Sequence, residues 1–429
     1  MGATISTADA ILKVDLGSEV IQDQMVHKCR LLKRFEKVSE KKWEGSQIEF
    51  PYEYGRSWGA GFSASPILPR SGNVSTVRAR VVPKYCYGRI KLSGPVMKQA
   101  RTKKGAFIEA VAQEMKGMIK TEAQVFSRAL AGDGTGKIGE VLSADDGADT
   151  ITLRTTGGSG VTGNDGARFF RVGQYLVIMN GATVRVTGLI VSAVNYSTNV
   201  VTFSSSPDLS TTVAGDSVYT LNAEGYPGKD AEIMGVSGFV DDGTLVGTLQ
   251  NVSRTTYPTT KATVLGNSGT LRDASLDYLQ QVISLIDLAS GETVDDFWCH
   301  AGMKDEWAKI VQGDKIYIEL KDQGRGIKES LGEDDLDTSV KYNGRRIIGD
   351  KDLPYNKTFA FVYDKFKNAP IQNWEWADDD GSIWSRVSGE DAYEAYNRYY
   401  GNMYCTMPNA NGVVTDLNQT TYAGSYTPA

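Results

Sequence analysis

The sequence predicts an α+β protein that carries an additional all-β unit within its chain. Three stretches predict it. Residues 104–130, KGAFIEAVAQEMKGMIKTEAQVFSRAL, place apolar side chains at Phe107, Ile108, Val111, Ala112, Met115, Met118, Ile119, Val125, Phe126, Ala129 and Leu130. That is the i, i+3, i+4, i+7 rhythm of one amphipathic helix. Residues 48–83 read as a strand, a long Gly-, Ser- and Pro-rich tip, and a second strand. Residues 138–222 hold a series of short β runs with almost no helical signal.

Taken in order, residues 1–45 read as an N-terminal arm. A short helix is predicted from Ser18 through Met25, followed by the basic run Lys28, Arg30, Lys33, Arg34, Lys37, Lys41 and Lys42. The run fits two readings equally: a solvated face, or an electrostatic contact with a neighbouring chain or DNA. Residues 1–104 carry 19 Lys and Arg against 9 Asp and Glu, net +10, so the rest of a chain of total charge −6 carries −16. An arm of one sign on a body of the other points to chain-to-chain contact as readily as to nucleic acid.

Residues 46–84 are an extended two-stranded loop. IEFPYEY and VSTVRARVVP alternate as strands around the tip GRSWGAGFSASPILPRSGN. Trp58, Phe62, Ile67 and Leu68 would be exposed there, with Arg56 and Arg70 beside them. A lone hairpin is marginal in water, so another subunit is expected to cover the tip. Tyr85 to Ser93 is a strand that leads through Gly94-Pro95 into the long helix. Glu109, Glu114, Lys116, Lys120, Glu122 and Arg128 make the helix's polar face, and Gly132-Asp133-Gly134 ends it. At 1.5 Å per residue it would be roughly 36 Å long.

In 138–222 the runs EVLSA, TITLRTT, QYLVIM, TVRVTGLIVSAV, NVVTFSS and SVYTLN point to a small barrel or sandwich. GDGTG before it and NAEGYPG after it read as flexible joints. Beyond them TLRDASLDYLQQVISLIDLASG is a helix with a Thr or Asp start and a Gly end. FWCHA is a buried strand, MKDEWAKIVQG a second helix, and GRRIIGD and KTFAFVY further strands. Gln312 to Asp337 is charged and reads as a mobile loop. IQNWEW, SIWSRV and RYYGNMYCTM alternate as strands before the polar tail PNANGVVTDLNQTTYAGSYTPA.

Composition narrows the function classes. An apolar share of 41% is ordinary for a globular chain, and no apolar run approaches the ~20 residues that span a bilayer. The N-terminus MGATISTADAILKVDLGSEV has acids where a signal peptide is basic and then apolar, so export is not expected. The four cysteines, Cys29, Cys86, Cys299 and Cys405, form no CxxC and are expected as buried free thiols. His27, Cys29, Cys299 and His300 match no common zinc spacing. Two histidines leave little room for His-based catalysis. Asp378-Asp379-Asp380-Gly381 lacks the spacing and closing Glu of a calcium loop and reads as a hairpin turn. No catalytic residue, metal or cofactor is expected.

The order of elements resembles the major capsid protein family of tailed bacteriophages, whose fold is shared by encapsulin shells and the floor of herpesvirus capsids. Asn251-Val-Ser-Arg254-Thr-Thr-Tyr257-Pro258, ahead of the helix from Leu271, is similar to the start of that family's axial domain. Tyr400-Gly-Asn-Met403 with Pro408 resembles its closing strand. The resemblance implies an N-terminal arm (1–45), an extended loop (46–84), a peripheral domain with a spine helix (85–137) and an axial domain (223–369). The chain would then return to the peripheral domain and end in a C-terminal tail (370–429). Residues 138–222 would be an inserted β-barrel-like domain of the kind some relatives carry.

What the resemblance implies about function is a structural protein with no enzymatic activity. It would self-assemble into hexamers and pentamers of an icosahedral head, a virion capsid that encloses double-stranded DNA, after synthesis in the bacterial host cytoplasm. The implied partners are copies of itself, a portal protein, a decoration protein and a separate scaffolding protein, since no long helical segment precedes the arm. Inter-subunit contacts are expected at Arg56, Trp58, Phe62, Ile67, Leu68 and Arg70 of the loop and at Lys33 and Arg34 of the arm. Some relatives lock their shells by an isopeptide bond from a loop lysine, but no lysine lies between Pro51 and Pro83. An encapsulin-type compartment is the rival within the same fold. A hydrolase or carbohydrate-binding protein using Asp334 to Asp337 or Asp378 to Asp380 is the rival outside it, with no spacing that supports paired carboxylates.

Overall fold

The computed structural model describes residues 29–37, 43, 45–63, 68–94, 104–154, 166–204, 207–222, 224–313, 340–378 and 381–419, side chains at 36, 104–113 and 312–313 excepted. The core begins earlier than the expected arm allows. Helix α1 (Arg30–Arg34) buries Leu31 and Leu32, with Cys29 and Phe35 buried on either side. Strand β1 (Glu36–Lys37) then pairs parallel with residues 367–368. Residues 29–35 are therefore packed on the body through Cys29, Leu31, Leu32 and Phe35, while Arg30 and Lys37 stay exposed. The predicted helix from Ser18 to Met25 lies outside the described residues.

Strands β2 (Ile48–Gly55) and β3 (Ser75–Val81) pair antiparallel as a two-stranded hairpin. Strand β4 (Lys84–Ser93) precedes helix α2 (Lys104–Ala131), whose 28 residues span about 42 Å. Of the expected apolar stripe Met115, Ile119, Phe126, Ala129 and Leu130 are buried and Met118 is half-buried, and Ala123 joins them. The polar face departs from expectation. Glu114, Lys116 and Lys120 are exposed, but Glu122, Ser127 and Arg128 are buried while Val125 is exposed. Ser127 donates to Asp352 Oδ2 at 2.6 Å and Arg128 pairs with Glu232, so the last turns are enclosed on both faces.

The six β runs that follow are β5 (Gly139–Asp145), β6 (Thr150–Arg154), β7 (Tyr175–Asn180), β8 (Thr183–Asn195), β9 (Val200–Phe203) and β10 (Ser217–Thr220). They close into a barrel in the order β10-β5-β6-β9-β8-β7 around Val141, Ile151, Leu153, Ile178, Val201 and their neighbours. Its joints are tied together and are not slack. Asp230 N–H donates to the Thr135 carbonyl at 2.8 Å, and a Cβ on Gly136 would overlap the Gly228 carbonyl. Glycine there serves close approach of two backbones, not flexibility. Arg168, buried, reaches out of the barrel to the carbonyls of Lys351 (3.2 Å), Asp352 (3.3 Å) and Leu353 (3.1 Å).

The chain re-enters through the short helix α3 (Val236–Phe239), strands β11 (Thr248–Leu249) and β12 (Val252–Ser253), and β13 (Thr263–Leu265). Helix α4 (Leu276–Ser290), strand β14 (Asp296–His300) and helix α5 (Ala301–Gly313) come next, then β15 (Lys341–Tyr342), β16 (Arg345–Asp350) and β17 (Thr358–Phe361). Ser275, not the expected Thr or Asp, caps α4 by accepting from Asp277 N–H, and Gly291 ends the helix at φ 75°. The loop expected from Gln312 to Asp337 falls almost entirely outside the described residues.

Strands β18 (Phe366–Trp376), β19 (Ser385–Arg386), β20 (Ala392–Cys405) and β21 (Gly412–Val414) complete two sheets. In the first, β18 and then β19 pair along one edge of β20, β4 along the other, and β1 joins β18. Helix α2 packs on it, Phe126 standing edge-on to Trp374 and Tyr399 at 5.1 and 5.2 Å. The second sheet runs β13-β21-β17-β14-β16-β15. It is buried on both faces, Trp298 and Phe359 toward the core shared with α2, Phe297 and Ala360 toward α4 and α5.

Residues 370–429 thus do not stay with the first sheet, since β21 crosses into the second. The polar tail is interior as far as it is described. Asn411 Oδ1 accepts from Val362 N–H at 2.9 Å, and Asp416 Oδ2 accepts from Asn267 and Gly269 N–H at 2.7 and 3.1 Å. These side chains satisfy loop amides that burial strips of water.

One buried ion pair holds the junction between the two sheets. Arg254, with no exposed surface, donates to Asp241 Oδ2 and to four backbone carbonyls, those of Gly238, Phe239, Val246 and Thr260. Asp241 Oδ2 also accepts from the amides of Gly243, Leu245 and Val246. Removing one partner strands a buried charge, so Asp241→Ala is expected to lower unfolding free energy by about 3–5 kcal/mol. Urea unfolding of the variant against the parent chain checks this.

Candidate functional site: an exposed hairpin tip

The β2–β3 hairpin is anchored at its root and bare at its tip. Strand alternation turns Ile48, Phe50 and Tyr52 inward with Ala79 and Val81 opposite. Ile48 and Val81 pack with Ala369 and Tyr404 of the first sheet, Tyr52 and Ala79 with Val252. Tyr52 Oη donates to the Cys405 carbonyl at 2.6 Å and contacts the Gln250 carboxamide, whose oxygen accepts from Cys405 N–H at 2.8 Å. Burial pushes the Tyr52 phenol well above its ordinary range, so it stays a neutral donor.

Gln250 and Asn251 join β11 to β12 with φ of 50° and 64°, the two left-handed residues of a tight hairpin turn. The strained Gln250 is held by its side-chain bonds and by Arg80 N–H, which donates to its carbonyl at 2.8 Å. Both strands of the extended hairpin are thereby tied to one turn.

Past Gly55 the ladder ends but the two arms of the tip stay together. A Cβ on Gly72 would sit 2.6 Å from Trp58 N, so glycine is needed there for the arms to touch. Trp58 is 85% exposed, Leu68 89%, and Phe62 fully exposed. Arg56 and Arg70 are exposed beside them. Ile67 lies outside the described residues. An apolar trio this exposed on a Gly-rich tip has the makings of a contact surface.

The other expected contacts lie apart from it. Lys33 and Arg34 are half-buried on α1, and the Arg34 guanidinium lies 5.9 Å from the Tyr363 ring centroid of the same chain. The tip was legible from its apolar residues among glycines, prolines and serines. Its anchors were not singled out, although the alternation of IEFPYEY places Tyr52 on the face of Ile48.

His300 is held in the interior of the fold. His300 stacks on Tyr355 with centroids 4.1 Å apart, and its Nδ1 accepts from Gly302 N–H at 3.1 Å. Burial, then the nearby Arg168 charge, pushes it down to about 3, so it is neutral. Cys29, Cys299 and Cys405 are buried free thiols, and Cys86 is a free, half-buried one. Asp378 accepts Gly381 N–H on its carbonyl at 3.4 Å, while 379–380 and 334–337 lie outside the described residues. Among the described residues no three His, Cys, Asp or Glu converge to hold a metal. No described helix is long and apolar enough to cross a membrane.

Two sheets, a long helix laid on one of them and an extended hairpin make up an α+β fold. The chain is similar over its length to a solved structure, the Cyanophage A-1(L) capsid asymmetric unit, with a TM-score of 0.52 at 13% identity, covering 92% of this chain and 93% of that one. It is more distantly similar to the capsid of a native GTA particle (TM-score 0.44, 10% identity, 91% of each chain) and to Mycobacterium phage Bobi (0.41, 9%, 90% of each). No protein-family profile and no curated protein sequence matches the chain.

Of the seven tryptophans, Trp58 alone is exposed; Trp43 is half-buried and the other five are buried. Iodide quenching of tryptophan fluorescence is therefore expected to fall sharply in Trp58→Phe, with the unfolding midpoint unchanged. Quenching equal to that of the parent chain would place Trp58 inside.

Proposed function

We propose that this chain is a major capsid protein, the repeated subunit of an icosahedral tailed-phage head that encloses double-stranded DNA. The observation that carries the reading is the bare apolar tip at Trp58, Phe62 and Leu68, standing on a capsid-type fold. Fold alone does not assign function, and the tip supplies the site. The hairpin lies across a neighbouring copy, which covers the trio and returns to each subunit the burial its own core leaves undone. Symmetric reuse of the same few surfaces closes hexamers and pentamers into a shell.

On this reading α2 is the spine helix of a peripheral domain, the second sheet with α4 and α5 is the axial domain, and the barrel is an inserted domain on the outside of that plan. Scaffolding, portal and decoration proteins are the partners, and no chemical step belongs to the subunit. The barrel has its own core. Expressed alone, 138–222 is expected to melt cooperatively; an unfolded fragment would mean its core is completed elsewhere.

Electron microscopy of the expressed chain should show closed shells. Deleting Gly55 to Asn73 should leave the circular dichroism of a folded subunit and abolish shells, whereas loss of the folded spectrum would show that the tip serves its own subunit. In assembled particles Trp58 should become inaccessible to iodide.

A further inference from the structure

Glu122 stands in the body of α2 and faces the first sheet with only 5% of its surface exposed. Opposite it are Gly88 of β4 and Asn397 of β20, cross-strand partners in register. A Cβ on Gly88 would overlap Met118 Sδ and lie 3.2 Å from Glu122 Oε2. The missing side chain lets the helix settle until the carboxyl reaches the second strand. Asn397, fully buried, donates from Nδ2 to Glu122 Oε2 at 3.0 Å.

That single bond leaves two buried oxygens facing no donor, Glu122 Oε1 and Asn397 Oδ1. A carboxylate can only accept, so as an ion Glu122 leaves both orphaned. One proton on the carboxyl changes this: the acid O–H donates to Asn397 Oδ1 while Asn397 Nδ2 donates back. We infer that Glu122 is held as a carboxylic acid at neutral pH and forms a reciprocal acid–amide pair with Asn397, a clamp of the long helix on the sheet that opens when Glu122 ionises.

The groups around the pair oppose ionisation or are otherwise engaged. The Cys86 thiol of β4 is itself pushed up by burial and by Glu122. The Tyr399 hydroxyl of β20 donates to Asn368 at 2.8 Å. On α2, Arg128 is taken by Glu232. Burial pushes the Glu122 carboxyl up to about 8, and the Asn397 bond draws it part of the way back. In the unfolded chain the carboxyl titrates near 4.5, so folding takes up a proton across the interval between the two values. Stability contributed by the clamp is complete below that interval and falls as pH rises through it, the reverse of a salt-bridged carboxylate.

Glu122→Gln tests the inference, because glutamine makes both bonds with a permanent donor. From about pH 5 to about pH 8 the wild-type folding constant should fall by about tenfold or more relative to the variant. Infrared difference spectra of the full chain should show a protonated-carboxyl band at neutral pH that Glu122→Gln lacks. Should that variant not fold, Asn397→Ala replaces it: burial still holds the acid, and its band moves to higher frequency because the O–H has lost its acceptor. A wild-type chain with no such band at neutral pH, parallel pH profiles for wild type and Glu122→Gln, or a band of unshifted frequency in Asn397→Ala would each overturn the inference.

Discussion

Arg254 is the constraint on which the arrangement of the chain depends. A buried guanidinium is tolerated only when every donor is matched, and here Asp241 and four carbonyls match them. Desolvation pulls its pKa down and the Asp241 charge holds it up, so the cation persists without water. The matched carbonyls come from α3, from the turn before β11 and from the segment that leads into β13. Val252, two residues from Arg254, is the residue against which Tyr52 and Ala79 pack. The root of the hairpin thus packs on the segment that carries this interior charge.

Absent side chains matter as much as present ones. A Cβ on Gly235 would overlap the carbonyls of Ala129, Leu130 and Gly132, so α3 sits directly on the end of α2. Gly88 performs the same service under the middle of the helix, and Gly412 under α4, where a Cβ would lie 3.0 Å from Val282 and Ile286. Helices in this chain approach sheets and backbone at distances only glycine permits, which is why polar groups such as Glu122 find partners inside the core.

Elements whose residues repeat with a clear period were legible in the sequence. The helix at 104–131, the barrel strands and the two hairpin strands announce themselves by 3.6- and 2-residue rhythms. Tyr52 and Tyr54 show where such reasoning stops. They share a strand face, yet one is buried and the other 46% exposed, because burial depends on distance from the hairpin root. Arg254 looks like any surface arginine in NVSRTTYP, and Asn411 and Asp416 like tail residues. Their burial follows from long-range partners, which local pattern does not encode. The tip was legible for the opposite reason: Trp58 stands among glycines and serines and is exposed.

The barrel's closure has a consequence for how its surface meets other chains. Open β-sheets present rows of unpaired amides, and crowding identical edges invites them to zip into continuous ribbons. Every strand of the barrel has a neighbour on both sides. The barrel thus offers no template for runaway strand addition, whereas the two-stranded hairpin keeps open edges, one of them interrupted by Pro51.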